Sequence, residues 1–215
     1  KKDMGGAAVA LGLARTLLEL GTDLNLLGGI GAVEDVVSAG SFRPGDVLQT
    51  RKRLTVEVGD TDAEGRLVMA DALTWLESFE PDLVLDLATL TGSAQRALGE
   101  PYAPVFANSD LARELVLAAA EDTGELVWPM PIHELHDREL GHARADLKNT
   151  GRPGMGTACT AAAFLRHFTR YPWAHVDMGG KAHWEDARDV LGVGATGFGT
   201  RLLVAAARRL AARGG

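Results

Sequence analysis

The chain has 215 residues, 46% of them hydrophobic, enough for one large domain with its own core. Its 22 Lys and Arg against 29 Asp and Glu give a formal net charge of -7, which disfavours nucleic acid as the main partner. Cys159 is the only cysteine, so an intrachain disulfide and any multi-cysteine zinc site are excluded, and a reducing, cytoplasmic home is expected.

No run approaches the roughly 18 apolar residues of a membrane span, and the start carries no signal-peptide core, so no membrane partner is expected. The chain opens on Lys1-Lys2-Asp3 without an initiator methionine and runs at once into a helical pattern, from which we expect that upstream sequence is missing. Val9, Leu13, Leu17 and Leu20 recur at helical spacing over Gly5 to Leu20, with Gly21 as the C-terminal cap. Leu24 to Ile30 reads as a short strand between glycines. Val47 to Val58 reads as β-forming sequence around a basic turn at Arg51-Lys52-Arg53. Leu67 to Phe79 returns to helical spacing and Pro81 stops it. Leu83 to Ala88 is nearly continuous apolar sequence, as expected of a strand buried on both faces of a parallel sheet. Further helices are expected at Ser93 to Leu98, Leu111 to Ala120, Thr157 to Phe168 and Gly199 to Ala212, with strands at Ala103 to Ala107 and Ala174 to Met178. Val127 to Gly156, rich in proline and glycine, reads as a long surface segment. The alternation predicts an α/β fold.

The densest polar cluster is Asp60-Thr61-Asp62-Ala63-Glu64-Gly65-Arg66, between a strand and a helix. Carboxylates two residues apart can converge in a turning backbone, and hard oxygen donors suit a divalent cation. A solvated acidic turn at a helix N-terminus is the other reading, because negative charge is favoured there anyway. Asp60, Asp62, Glu64, Gly65 and Asp71 nearly match a twelve-residue calcium loop, but a strand-like run precedes them where a helix is needed, and Asp71 stands where a bidentate Glu is usual.

Gly192-Val193-Gly194-Ala195-Thr196-Gly197 is a literal G-x-G-x-x-G. The run before it, Glu185 to Asp189, is charged rather than strand-like, so glycines that let the last helix pack closely are the better reading. His133-Glu134-Leu135-His136 is not H-E-x-x-H, and surface or hydrogen-bonded histidines are expected there and at His142. Cys159 in its Ala-rich helix reads as a small buried hydrophobe. No serine lies in a G-x-S-x-G turn.

The segment Asp60 to Leu67, followed by Ala70-Asp71-Ala72-Leu73, resembles the NTDAEGRL...ADAL motif of the leucyl aminopeptidases, the M17 family of metallopeptidases. Lys1 to Ala8 is similar to the family's KxDMxGAA segment. Pro44 to Val47, Asp86 to Gly92, Ala145 to Asn149, Trp173 to Asp177 and Gly194 to Gly197 follow in family order, so the resemblance covers nearly the whole chain.

The resemblance implies a three-layer α/β/α sandwich around a mixed, mostly parallel central sheet. Residues 1–215 would be a C-terminal catalytic domain whose start, and whose N-terminal companion domain, are missing. It implies release of N-terminal residues, leucine and similar, from peptide substrates by water activated between two divalent metal ions, with Zn2+ or Mn2+ foremost and Mg2+ or Co2+ as further candidates. Asp3 would bind one ion, Asp62 the other, and Glu64 would bridge them. Arg66 would hold a bicarbonate that takes the proton, a role suited to its planar fork. Thr89, Leu90 and Gly92 would bind the substrate main chain, and Asp3 its free amine. A homo-hexamer in the cytoplasm is implied as well.

Three departures stand out. The family's G-K-G...F-D-S-G-G...K-P segment, which carries a metal-binding lysine, a bridging aspartate and a catalytic lysine, is absent, and neither Lys1 nor Lys2 is expected to replace it; the 215 residues alone are expected to bind metal weakly and to lack peptidase activity. Asp60 replaces the usual Asn. Met178-Gly179-Gly180 replaces Ile-Ala-Gly and Ala182 a bulkier residue, from which a roomier first pocket at Gly179 and Ala182 is expected. The rival class is a non-catalytic relative: a calcium module on Asp60 to Asp71, or a DNA-binding regulator, which the net charge speaks against.

Overall fold

The computed structural model describes residues 2–187 and 192–214. Lys1 of the opening motif, and Arg188 and Asp189 at the end of the charged run, lie outside the described residues. In chain order the elements are α1 (Gly5–Glu19), β1 (Val47–Gln49), β2 (Thr55–Glu57), α2 (Gly65–Leu76), β3 (Val84–Ala88), α3 (Gly92–Leu98), β4 (Ala103–Ala107), α4 (Asp110–Thr123), β5 (Val127–Pro129), α5 (Glu134–Leu140), β6 (Leu147–Lys148), α6 (Thr157–Arg166), β7 (Trp173–Asp177), β8 (His183–Trp184), β9 (Gly194–Ala195) and α7 (Thr200–Gly214). This is an α/β fold, and the chain divides into two compact units.

The first unit takes the residues up to Gly29, Leu83–Met130 and those from Pro172 on. Its sheet runs β3-β7-β4-β5, with β3 and β7 parallel, β7 and β4 antiparallel, and β4 and β5 parallel. Alternation along the strands sends Val105, Ala174 and Val176 into one core with Val9 of α1, Leu115 and Val116 of α4, and Leu202 and Ala206 of α7. The other side of the same strands carries Asp86, Phe106, Trp173 and His175. At Gly6 helix α1 touches the sheet: a Cβ there would lie 2.0 Å from the Leu87 carbonyl oxygen. The buried carboxylate of Glu125 accepts from the backbone N–H groups of Gly199 and Leu202, at 3.3 and 2.8 Å, and so satisfies donors that the start of α7 leaves orphaned.

The second unit takes Ile30–Asp82 and Pro131–Tyr171. Its sheet runs β1-β2-β6. Strands β1 and β2 pair antiparallel across the basic turn, where Arg53 adopts φ +66 and its N–H donates to the Thr50 carbonyl at 2.8 Å. Strand β6 lies parallel to β2. Helix α6 packs against α2 and α5 and is buried from Ala158 to Leu165, which its alanines permit because they need so little space on every side.

The structure corrects four expectations. Residues 24–30 form no strand; Leu26, Leu27 and Ile30 are exposed, and among the described residues no strand supplies the hydrogen bonds that an extended run needs. Strand β3 stands at the sheet edge, and its last four residues are only half-buried. The Val127 to Gly156 segment contains β5, α5 and β6. The cap of α5 is made by His133 and His136, outside the usual Ser, Thr, Asp and Asn set. At Gly192, Gly194 and Gly197 a Cβ would meet nothing within 4 Å, so close packing of the last helix does not explain them; that contact falls to Gly199, where a Cβ would lie 2.3 Å from Leu87 Cδ2.

Candidate active site

Each unit places its expected functional residues just past the carboxyl ends of a parallel strand pair, the position where open α/β sheets present ligand sites. In the second unit the pair is β2 and β6; in the first it is β3 and β7.

Beyond β2 the chain turns at Gly59 and Asp60. The Asp60 carboxylate accepts the Asp62 N–H at 3.0 Å and caps a single 3-10 turn, Thr61–Ala63, which passes into α2 through Glu64. Ala63 points inward, Asp62 is exposed and Glu64 half-buried, so two carboxylates sit two residues apart on one short turn. Among the described residues the Asp62 carboxylate makes no ion pair. Arg66, in the first turn of α2 and buried, donates through Nη1 to the Asn149 carbonyl at 2.7 Å. Asn149 follows β6 and its side chain is wholly buried against the turn. Its Oδ1 accepts from the N–H groups of Gly59 (2.7 Å) and Asp60 (3.3 Å), and its Nδ2 donates to the carbonyls of Asp60 (2.7 Å) and Ala63 (3.3 Å). The calcium-loop reading fails on context: strand β2 precedes the turn, and Asp71 accepts the Arg51 N–H at 2.7 Å instead of closing a loop.

Beyond β3, the Thr89 hydroxyl donates to the Asp3 carboxylate. A Cβ at Gly5 would lie 3.1 Å from Ala182 Cβ, 3.3 Å from Thr89 Cγ2 and 3.4 Å from Met178 Cε, which places the expected residues Asp3, Thr89 and Ala182 in one neighbourhood. Asp177, at the end of β7, is buried and accepts from the N–H groups of Leu90 (3.2 Å), Thr91 (3.1 Å) and Gly179 (3.1 Å) and from the Thr91 hydroxyl (2.6 Å). The Leu90 N–H is therefore committed within the protein, and its carbonyl is the group left to offer. Gly179 is held to glycine by a close approach: a Cβ would lie 2.5 Å from the Thr91 carbonyl oxygen.

In kind, the carboxylates of Asp62 and Glu64 fit a hard divalent cation. In number they fall short of a whole centre: among the described residues no three His, Cys, Asp or Glu side chains are gathered as one metal-holding set. The histidines serve elsewhere, His133 and His136 at the α5 cap and His142 beside the Glu57 carboxylate at 2.8 Å. Cys159 is buried, and burial raises its thiol pKa, which keeps it protonated and inert. Sequence reading noted the segments that hold Asn149 and Asp177 but assigned neither residue a task.

The catalytic-domain description of the cytosol aminopeptidase family matches residues 1–204. A probable cytosol aminopeptidase of Synechococcus sp. (strain CC9311) is 41% identical over 209 residues, covering 95% of this chain and 42% of the relative. Probable cytosol aminopeptidase 1 of Shewanella oneidensis is 43% identical over 205 residues, covering 94% of this chain and 41% of the relative. Among solved structures, a mutant of tomato leucine aminopeptidase superposes with a TM-score of 0.87 at 38% identity, covering 96% of this chain and 40% of that one. The chain thus spans well under half the length of the proteins it matches.

Proposed function

The chain belongs to the cytosol aminopeptidase family, and from that premise we propose that it serves a metal-dependent aminopeptidase that releases N-terminal residues, leucine and similar, from peptides. The observation that carries the reading is the held acidic turn: Asp62 and Glu64 two residues apart, tied down by Asn149 just past a strand end.

In this reading Asp62, Glu64 and Asp3 supply carboxylate ligands to two divalent cations, zinc or manganese foremost; the family's further lysine and aspartate ligands are not among these 215 residues. What such a pair of ions supplies when bound is an acidified water and a polarised scissile carbonyl. Asp3 also receives the substrate's free ammonium group, which confines cleavage to chain ends. Its carboxylate is already oriented by the Thr89 hydroxyl. The Leu90 carbonyl and the Gly92 N–H hold the substrate main chain, as at a strand edge. Arg66, anchored on the Asn149 carbonyl, presents its guanidinium to a planar oxyanion such as bicarbonate. The small residue Ala182 leaves a roomy first pocket, so methionine and aromatic N-termini should be accepted beside leucine; Gly179 adds no room of its own, because the Thr91 carbonyl fills the place of its missing side chain. In the same reading the enzyme is a homo-hexamer in the cytoplasm, the location alone being in keeping with relatives named cytosol aminopeptidases.

The test is release of leucine from Leu-Gly and leucine p-nitroanilide by the intact protein. Chelation should abolish turnover, Mn2+ or Zn2+ should restore it, and an N-acetylated peptide should be left uncut. Turnover that ignores chelators, or none with any divalent ion, would defeat the reading. Residues 1–215 alone should show no turnover.

A further inference from the structure

We propose that Asn149 is the positioning residue of the acidic turn, setting where Asp62, Glu64 and Arg66 stand. The proposal rests on the reading of Asp62 and Glu64 as cation-holding carboxylates. A primary amide has two acceptor lone pairs and two N–H donors, and in Asn149 all four are used on Gly59, Asp60 and Ala63. Its main chain adds two more bonds, N–H to the Glu57 carbonyl at 3.0 Å and carbonyl to Arg66 Nη1 at 2.7 Å. One wholly buried residue thus brackets the segment from the end of β2 to the first turn of α2.

The turn itself is too weak to do this. A single 3-10 turn has poor hydrogen-bond geometry and is used only in short pieces, and the cap from Asp60 holds just one N–H. No other side chain type fits as well. Aspartate would set an oxygen against the Asp60 and Ala63 carbonyls, serine would reach too few partners, and a cationic side chain would itself be drawn to the neighbouring carboxylates. Asparagine holds the turn without adding charge beside Asp60, Asp62 and Glu64.

Positioning and simple electrostatics make opposite forecasts for Asn149→Asp. An extra carboxylate near a cation site should tighten binding if charge alone mattered, whereas loss of the two donors should loosen the turn and weaken binding. Mn2+ affinity is measured by calorimetry on the chelator-stripped intact protein, well below the melting temperature of each variant. We expect Asn149→Asp and Asn149→Ser each to weaken Mn2+ by roughly 10–100-fold, the range typical of lost ligand-orienting partners. Amide exchange across residues 60–66 should speed up in both variants. Thr55→Val serves as the comparison: it removes the tie from the Thr55 hydroxyl to Asp146 on the same strand pair, away from the turn. It should lower melting temperature while leaving Mn2+ affinity and 60–66 exchange as in the wild type.

If Asn149→Asp does not fold, Asn149→Ser carries the comparison. Mn2+ affinity within about twofold of wild type in the Asn149 variants, or an equal loss in Thr55→Val, overturns the positioning role while leaving the peptidase reading intact. A wild-type protein that binds no divalent ion overturns the peptidase reading instead, and the exchange data then decide: unchanged protection of 60–66 in Asn149→Ser sinks the clamp, and selective loss of it upholds the clamp.

Discussion

The hydroxyl of Thr91 donates to the carboxylate of Asp177 across 2.6 Å, and the same carboxylate holds the main chain of the loop in which Thr91 sits. The Thr91 oxygen in turn accepts the Ala94 N–H at 3.1 Å and caps α3. A side chain at the end of β7 therefore shapes the loop that follows β3. Asp177→Asn leaves too few acceptors for these buried donors and should cost about 2–3 kcal/mol, the scale of charge-assisted and unsatisfied buried bonds. Urea unfolding should show a lower midpoint at unchanged slope, and, on the proposed peptidase reading, the intact protein's KM for leucyl substrates should rise more than its kcat falls. A midpoint and KM equal to wild type would count against the loop-shaping role.

Asp86 is shared between two rings on one side of the sheet, accepting from Trp173 Nε1 and meeting His175 Nδ1, each at 2.5 Å. The His175 ring stacks near those of Phe106 and Trp173, with centroids 6.2 Å away in both cases. His175→Phe keeps a ring in place but strips one partner from Asp86, and should cost about 2–3 kcal/mol. Combined with Asp86→Asn in a double-mutant cycle, it should show a coupling of about 1 kcal/mol or more. Additive effects would mean that the two side chains do not act as a pair.

Gly6 and Gly28 offer a contrast within one short stretch. A Cβ at Gly6 runs into the Leu87 carbonyl, whereas one at Gly28 meets nothing within 4 Å. Gly6→Ala has to push α1 off β3 and should cost about 3 kcal/mol or more, while Gly28→Ala should stay within about 0.5 kcal/mol of wild type. Thermal and denaturant melts of the two variants measure the difference.

Burial pulls the His167 pKa below its ordinary 6.5, more than the nearby Asp137 carboxylate, 3.2 Å away, raises it. As pH falls below 6.5 the unfolded chain takes up a proton before the folded one does, so stability is full above that pH and declines through the folded pKa. Between about pH 7.5 and about pH 5.5 the wild type should therefore lose more stability than His167→Gln. Equal losses in denaturant titrations at the two pH values would contradict the assignment.

Much of the fold is legible where the signal is local. The spacing of Val9, Leu13 and Leu17 marks α1, and the basic turn between two β-rich runs marks β1 and β2. Reading fails where partners decide. Leu24 to Ile30 has strand composition and no strand, because a strand exists only through a neighbour's hydrogen bonds. Strands β5 and β6, of three and two residues, are too short to show a period and are made by pairing with β4 and β2. At the site, the acidic run and Arg66 stand out by composition, and their family order adds Asp3 and the Thr89 to Gly92 loop.

From the residues in order, then, come the helices with a strong apolar period, the acidic turn, the single buried cysteine and membership of the family. Tertiary structure alone decided that Asn149 holds the turn and Asp177 the loop, for the turn and loop groups they hold lie 83 to 90 and 86 or 87 positions away along the chain. A buried amide or carboxylate is tolerated only where donors and acceptors meet it, and which groups those are is settled when strands far apart in sequence are laid side by side.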